Sequence, residues 1–347
     1  MTKRLLHDKA QLARFKLAER DEQPLADGEA LLAIDRLALT TNNITYALLG
    51  DAMQYWQYFP SGEPGWGVLP AWGFANVVAS NTENVQPGER FYGYLPLATQ
   101  LRVQPTRVSP RGFVDGAPHR ASLVAPYNQY TRCSPEHARS ENLQALLRPL
   151  LGTGLFAADF LLDNAFFGAR RVLVSSASSK TAYSTAYCLR RESDIELVAL
   201  TSNRQFVEQL GCYSRVVAYD QPLEADVPTL YLDFSGDPAL RERVHQQTQL
   251  VYDCAVGFTK GGIAAPRAFS EPAPVFFFVF DQIKKRSAEW GPQELARRMA
   301  EAQQAFLADA QIEVVEHQGL EAAAALIAEL AQGRVDPHLG HVLLVAQ

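Results

Sequence analysis

Residues 171–182 read RVLVSSASSKTA. An apolar, β-branched run, Val172-Leu173-Val174, enters a turn of very small side chains and then a helix. A second apolar strand, Ile195 to Thr201, arrives after one helix's worth of residues. This strand, turn, helix, strand layout is that of a dinucleotide-binding fingerprint. Where the GxGxxG pattern would place glycines, this chain has Ala177, Ser179 and Ala182. Such side chains still let a backbone approach a pyrophosphate, though less closely than glycine does.

Working outward, apolar strands are expected at Val172 to Ser175, Ile195 to Thr201, Val216 to Tyr219, Thr229 to Phe234, Leu250 to Ala255 and Val275 to Phe280. Their unbroken apolar character fits a parallel sheet covered on both faces, hence a doubly wound α/β domain. Upstream, Ala30 to Leu39, Phe74 to Ser80 and Arg90 to Leu95 read as strands, with Asp27-Gly28 and Pro87-Gly88 as turns, which suggests a small barrel. Between them Met53 to Trp72 is dense in aromatics and reads as an ordered, packed loop. Ser134 to Asn164 carries leucines at helical spacing, with Pro149 expected to divide two helices. Toward the end come a helix (Gln293 to Ala310), a strand (Ile312 to Val315), an alanine-rich helix (Leu320 to Ala331) and a last strand (His341 to Val345).

At 347 residues the chain is long enough for two domains. The net charge of −6, with Lys and Arg scattered, offers no basic stripe for phosphate backbones and argues against a nucleic-acid partner. The longest apolar run, residues 273–280, falls short of the roughly 20 needed to cross a bilayer, and the start MTKRLLHDKAQLARF has no signal-peptide core. A cytoplasmic protein without a membrane partner is expected. Four scattered cysteines with no CxxC and seven histidines with no HxxxH or similar spacing indicate neither a disulfide framework nor a zinc site.

Ser176, Ala177, Ser179, Lys180 and Thr181 place hydroxyls, N–H groups and one ammonium at a helix N-terminus, where an anion is favoured. Lys180 opposes the helix dipole unless a phosphate neutralises it; the other reading is a solvated lysine beside capping serines. The second strand ends in Thr201-Ser202-Asn203-Arg204, with no carboxylate where an NAD enzyme holds the ribose. Ser202, Asn203 and Arg204, with Tyr219 from the side, suit a 2′-phosphate and so NADP(H), unless Ser202 and Asn203 merely cap a helix beside an exposed arginine. Phe234-Ser235-Gly236 and Val256-Gly257-Phe258 follow the fourth and fifth strands, where open α/β folds bind ligands; Ser235 and Gly257 are candidates there, although either segment could be a plain turn.

With that order of elements, the chain resembles the medium-chain dehydrogenase/reductases, specifically their zinc-free, quinone-oxidoreductase-like branch. The resemblance is carried by DGEALLAIDRLALTTNNITYALLG (27–50), PAWGFANVVASNTENVQPGERFYGY (70–94), RPLLGTGLFAADFLL (148–162), RRVLVSSASSKTAYSTAYCL (170–189) and FVEQLGCYSRVVAYD (206–220). The SSASSKTA turn with FFFVFDQIKKRSAEWG (276–291) further resembles a subfamily known only as a domain of unknown function.

The resemblance implies a GroES-like β-rich domain at 1–135 and 311–347 and a Rossmann domain at 136–310. The zinc members' cysteine is replaced within Asn42-Asn43-Ile44 and their Gly-His-Glu within Trp72-Gly73-Phe74-Ala75, so no metal is expected. It also implies a nicotinamide-side tyrosine at Tyr46, with Asn42, Asn43 and Thr153 nearby, able to polarise a carbonyl or deliver a proton; otherwise Tyr46 is a core residue. Two functions follow. One is a zinc-independent NADPH-binding oxidoreductase passing hydride to an activated double bond or carbonyl of an apolar or aromatic small molecule, as a homodimer. The alternative is a non-catalytic nucleotide-binding or scaffold protein on a degenerate dehydrogenase fold.

Overall fold

The computed structural model describes residues 1–21, 23–257 and 271–345. The chain forms two compact units, residues 1–146 with 312–347 and residues 147–311.

In the first unit Ala30–Leu39 forms a ten-residue strand whose side chains are alternately buried over its first half, with Leu37, Ala38 and Leu39 all buried at its end. This strand pairs antiparallel with Pro70–Ser80, Gln100–Val103 and the returning Leu339–Leu344. A nine-stranded sheet results, running from Glu313–Gln318 at one edge through Leu339–Leu344, Ala30–Leu39, Pro70–Ser80, Arg90–Pro96, Gln129–Cys133 and Gly112–Asp115 to Pro105–Ser109. Leu32, Ile34, Phe91 and Leu95 share its core with Leu320, Ile327 and Leu330 of the helix Gly319–Ala331. A second sheet pairs Thr2–Asp8 with Phe15–Arg20 and Trp66–Val68. Its first two strands, and the helix Thr41–Leu48, were not among the expected elements. Within 53–72, Tyr55, Trp56, Tyr58 and Phe59 are buried, as a packed loop requires.

The second unit is a six-stranded, wholly parallel sheet. In chain order its strands are Arg171–Val174, Glu196–Thr201, Arg215–Ala218, Pro228–Asp233, Gln249–Ala255 and Val275–Phe276. In space they lie third, second, first, fourth, fifth, sixth. This is the doubly wound dinucleotide-fold order, whose direction reverses beside the first strand.

Two sequence expectations are corrected. Pro149 does not divide two helices, since Ala138–Asp163 is one helix with Pro149 inside it. An internal proline costs about 3 kcal/mol, whereas Leu146, Leu147, Leu150 and Leu151 around it are all buried, each worth roughly 1.5–3 kcal/mol. This 26-residue helix is long and apolar enough to cross a membrane, and 56% of its most apolar window is buried inside the protein. The strand expected at Val275 to Phe280 stops at Phe276, and a helix, Val279–Trp290, takes over. Asp281 in its first turn suits the helix dipole, and only Phe277 of the FFF run is buried in the core.

Candidate functional site

In the parallel-sheet unit the first strand runs into Ser175–Ser179, and Ser179 caps the helix Lys180–Glu192 by accepting the Ala182 N–H. Ser176 bends the chain with φ +45°, a left-handed conformation that costs an L-residue roughly 1–2 kcal/mol. Its N–H donates to the hydroxyl of Tyr219 at 2.9 Å. Ala177 is fully buried; its N–H donates to Leu200 O at 3.1 Å and its carbonyl accepts from Tyr213 Oη at 3.0 Å. The Ser179 N–H closes back onto Ser176 O. Three main-chain donors of this turn are therefore used within the protein. The Ser176, Ser178 and Ser179 side chains, Lys180 and Thr181 lie at its partly exposed rim.

Beneath the turn sits a buried polar cluster that sequence reasoning missed. Asp233, at the end of the fourth strand and fully buried, accepts on Oδ1 from Ser175 Oγ (2.6 Å), Tyr231 Oη (3.1 Å), Ser235 N and Oγ (both 2.8 Å) and Gly236 N (3.1 Å). Its Oδ2 pairs with Arg241 at 2.7 Å. Arg241 also meets Asp253 at 3.2 Å, and His245 lies 2.9 Å from the same Asp253 oxygen. Burial pushes the Asp253 carboxyl above the usual range, against the pull of Arg241 and His245. The cluster fixes the loop Phe234–Gly236 to the turn through Ser175, so both are held before any ligand arrives. The signal available in the sequence was an acid closing an otherwise apolar strand, in YLDFSG.

Ser235 is consequently committed, its hydroxyl bound to Asp233. Gly257 has a packing reason to be glycine, because a Cβ there would come within 2.9 Å of Phe234 O. Its neighbour Phe258 lies outside the described residues. At the end of the second strand Asn203 caps the short helix Arg204–Gln209, its side chain accepting the Phe206 N–H. Arg204 is exposed and pairs with Glu208 at 2.6 Å, while Ser202 is exposed. A different arginine reaches Tyr219: Arg243 donates through Nη1 to Tyr219 O, and its Nε and Nη2 are buried without a partner. Tyr219, Arg243, Ser235, Asp237, Ala239 and Leu240 line a cavity of about 340 Å³. Burial raises the Tyr219 phenol's pKa, so it is neutral in the physiological range.

In the β-rich unit, Tyr46 and Asn43 lie on the helix Thr41–Leu48, where Thr40 and Asn43 form a reciprocal capping box. Asn43 Oδ1 accepts the Thr40 N–H at 2.7 Å and its Nδ2 donates to Pro70 O at 2.8 Å, so both ends of its amide brace the backbone. Asn42 is the asparagine at the Tyr46 hydroxyl, donating at 2.7 Å, and Trp72 Nε1 donates to the same oxygen at 3.0 Å. The Tyr46 ring lies 4.8 Å from Tyr55 and 5.2 Å from Tyr94 in an aromatic cluster with Tyr58 and Tyr127. Burial pushes the Tyr46 phenol far above its ordinary 10. A neutral phenol accepting two hydrogen bonds presents its own proton to a third group. Thr153, on the helix of the other unit, is partly exposed and makes one long bond, at 3.4 Å, to Pro149 O. Among the described residues no group of three or more His, Cys, Asp or Glu side chains is arranged to hold a metal ion.

Comparison with known proteins agrees with this architecture. The family model described as Protein of unknown function (DUF2855) matches residues 37–336, and the chain belongs to that family. No curated protein matches the sequence significantly. Among solved structures, CurA from Vibrio vulnificus in complex with NADPH is 14% identical, covers 99% of each chain and superposes with a TM-score of 0.64. Mycobacterial Rv1454c complexed with NADPH is 13% identical over 99% of this chain and 100% of its own, with a TM-score of 0.61. A putative NADPH:quinone reductase from Bacillus thuringiensis is 13% identical over 99% of each, at 0.58. The fold is that of the medium-chain dehydrogenase/reductases, with a GroES-like and a Rossmann part.

Proposed function

We propose that the chain is an NADP(H)-binding oxidoreductase that works without a metal on a small apolar or aromatic molecule bearing an activated double bond or carbonyl. The observation that carries the reading is the third-second-first-fourth-fifth-sixth parallel sheet with its small-residue turn at the end of the first strand. The solved structures of this fold that contain NADPH support it.

The residues present fit such a cofactor: hydroxyls and Lys180 rim the turn, and the cavity beside Tyr219 has a guanidinium with buried, unpartnered N–H groups. Ser176, Ser179, Lys180 and Thr181 would hold the diphosphate. Ser202, Asn203, Arg204 and Tyr219, joined by Arg243, would hold the 2′-phosphate end. When bound, NADPH supplies a hydride. Tyr46, oriented by Asn42 and Trp72, would deliver the proton, and the surrounding rings would exclude water. A homodimer belongs to this reading, with Val275 and Phe276 exposed on the outermost strand of the sheet.

A second reading, a nucleotide-binding protein without catalysis, is favoured by one observation: the Ser176, Ala177 and Ser179 N–H groups already have partners. Titration followed by turnover separates the two. Binding of NADPH with consumption by a quinone or enone supports the oxidoreductase. Binding without consumption by any quinone, enone, aldehyde or acyl thioester supports the second reading, and absence of binding refutes both.

A further inference from the structure

We propose that the β-rich unit carries a binding site of its own for a small monocarboxylate with an apolar body, independent of the nucleotide reading above. The site is a cavity of about 390 Å³ lined by Arg4 and Arg20 together with Tyr58, Phe59, Val68 and Leu101. Its volume is in the range of small-molecule pockets.

The two arginines are brought together by strand register. Thr2–Asp8 and Phe15–Arg20 pair antiparallel with Thr2 opposite Arg20 and Arg4 opposite Ala18, so Arg4 and Arg20 are diagonal neighbours on one face. Like charges placed this way repel. Neither makes an ion pair among the described residues. Arg4 is anchored through Nη1 and Nη2 to the carbonyls of Pro60 (3.3 Å) and Ser61 (3.1 Å), which hold it without neutralising it, and its Nε is buried with no partner. Burial, then the charge of Arg20, makes Arg4 a weaker base than usual, against the opposing pull of the Glu63 carboxylate.

The remaining charges define the ligand. Arg102 is paired with Glu29 at 2.6 Å and Arg120 with the buried Asp115 at 3.1 Å, so both are already balanced. Arg120 also lies over the Phe59 ring, 4.8 Å from its centroid, and stiffens that wall. Among the described lining residues Asp21 is the one acid, and it offsets one of the two arginines that lack an ion pair. Among these residues one positive charge is left beside an aromatic and aliphatic lining. That combination selects one carboxylate on an apolar body over a dianion or an uncharged molecule.

Phenylacetate is a suitable probe and phenylacetamide its uncharged counterpart. Isothermal titration of the full chain should show saturable binding of phenylacetate and at least about tenfold weaker binding of the amide. Arg20→Gln, which removes no contact the fold uses, should weaken phenylacetate about tenfold and leave the amide unchanged, with the thermal unfolding midpoint as a check on folding. Lys3→Gln, on the other face of the strand pair with its charge facing Glu19, should leave both unchanged. Absence of phenylacetate binding, equal binding of acid and amide, or full affinity in Arg20→Gln would each overturn the proposal.

Discussion

The hydroxyl of Tyr219 accepts the main-chain N–H of Ser176, 43 residues earlier in the chain, at 2.9 Å. It does so where Ser176 is held in the left-handed region at φ +45°. A tyrosine from the third strand's end thus occupies a donor that a glycine-rich turn would turn toward a phosphate, and it holds the serine in a conformation glycine adopts without cost.

Ser176→Gly should relieve that strain. The expected outcome is a protein no less stable, by up to about 1 kcal/mol more stable in denaturant unfolding, that binds NADPH and NADH more tightly by a similar factor. A loss of affinity for both would show that the Ser176 hydroxyl is itself a ligand.

Asp233→Asn should destabilise the parallel-sheet unit by about 3 to 5 kcal/mol, since it leaves Arg241 buried beside an amide and disturbs the donors converging on Oδ1. Urea unfolding measures this. A change below about 1 kcal/mol would mean that the cluster does not brace the turn.

Acid should weaken the β-rich unit through His7. Its ring is fully buried, Nδ1 lies 2.8 Å from Leu12 O, Nε2 has no partner, and burial lowers its pKa below the ordinary 6.5. The unfolded chain therefore takes up a proton near pH 6.5 that the folded chain resists. The stabilisation from neutral His7 is complete above that pH and is lost as the pH falls below it. The urea midpoint should drop between pH 7 and 5.5, and less steeply in His7→Gln, which keeps a donor for Leu12 O. Equal slopes in the two proteins would assign the acid sensitivity elsewhere.

Tyr46→Phe should reduce quinone or enone turnover by about 100-fold while leaving NADPH affinity unchanged, the behaviour of a lost proton donor. Asn43→Ala should instead cost about 1 kcal/mol of stability through the capping box. Undiminished turnover in Tyr46→Phe would reduce Tyr46 to a core residue.

Much of the fold was legible locally. The apolar strand Ala30–Leu39 and the continuous apolar strands from Arg171 onward appear where their patterns place them. Misreadings arose where a local rule met a larger tertiary term. Pro149 stays inside a helix because leucines on both sides are buried, and Phe277-Phe278 ends a strand because the following residues pack as a helix. The site was legible as a list of residue types, not as an arrangement. Which donors of the turn are engaged depends on Tyr219 and Leu200, distant in sequence. Likewise, no periodicity distinguishes Arg204, held by Glu208 on the surface, from Arg243, half-buried beside Tyr219.

The central claim is nucleotide binding with preference for the 2′-phosphate, and the most direct test is parallel titration of the wild-type chain with NADPH and NADH. A charge-assisted arginine contact is worth ~1.5–3 kcal/mol, so NADPH should bind roughly one to two decades more tightly. Arg204→Ala and Arg243→Ala should erode that ratio with little effect on NADH, whereas Lys180→Ala should weaken both nucleotides. Equal affinity for the two nucleotides in the wild type, or binding of neither, would contradict the account.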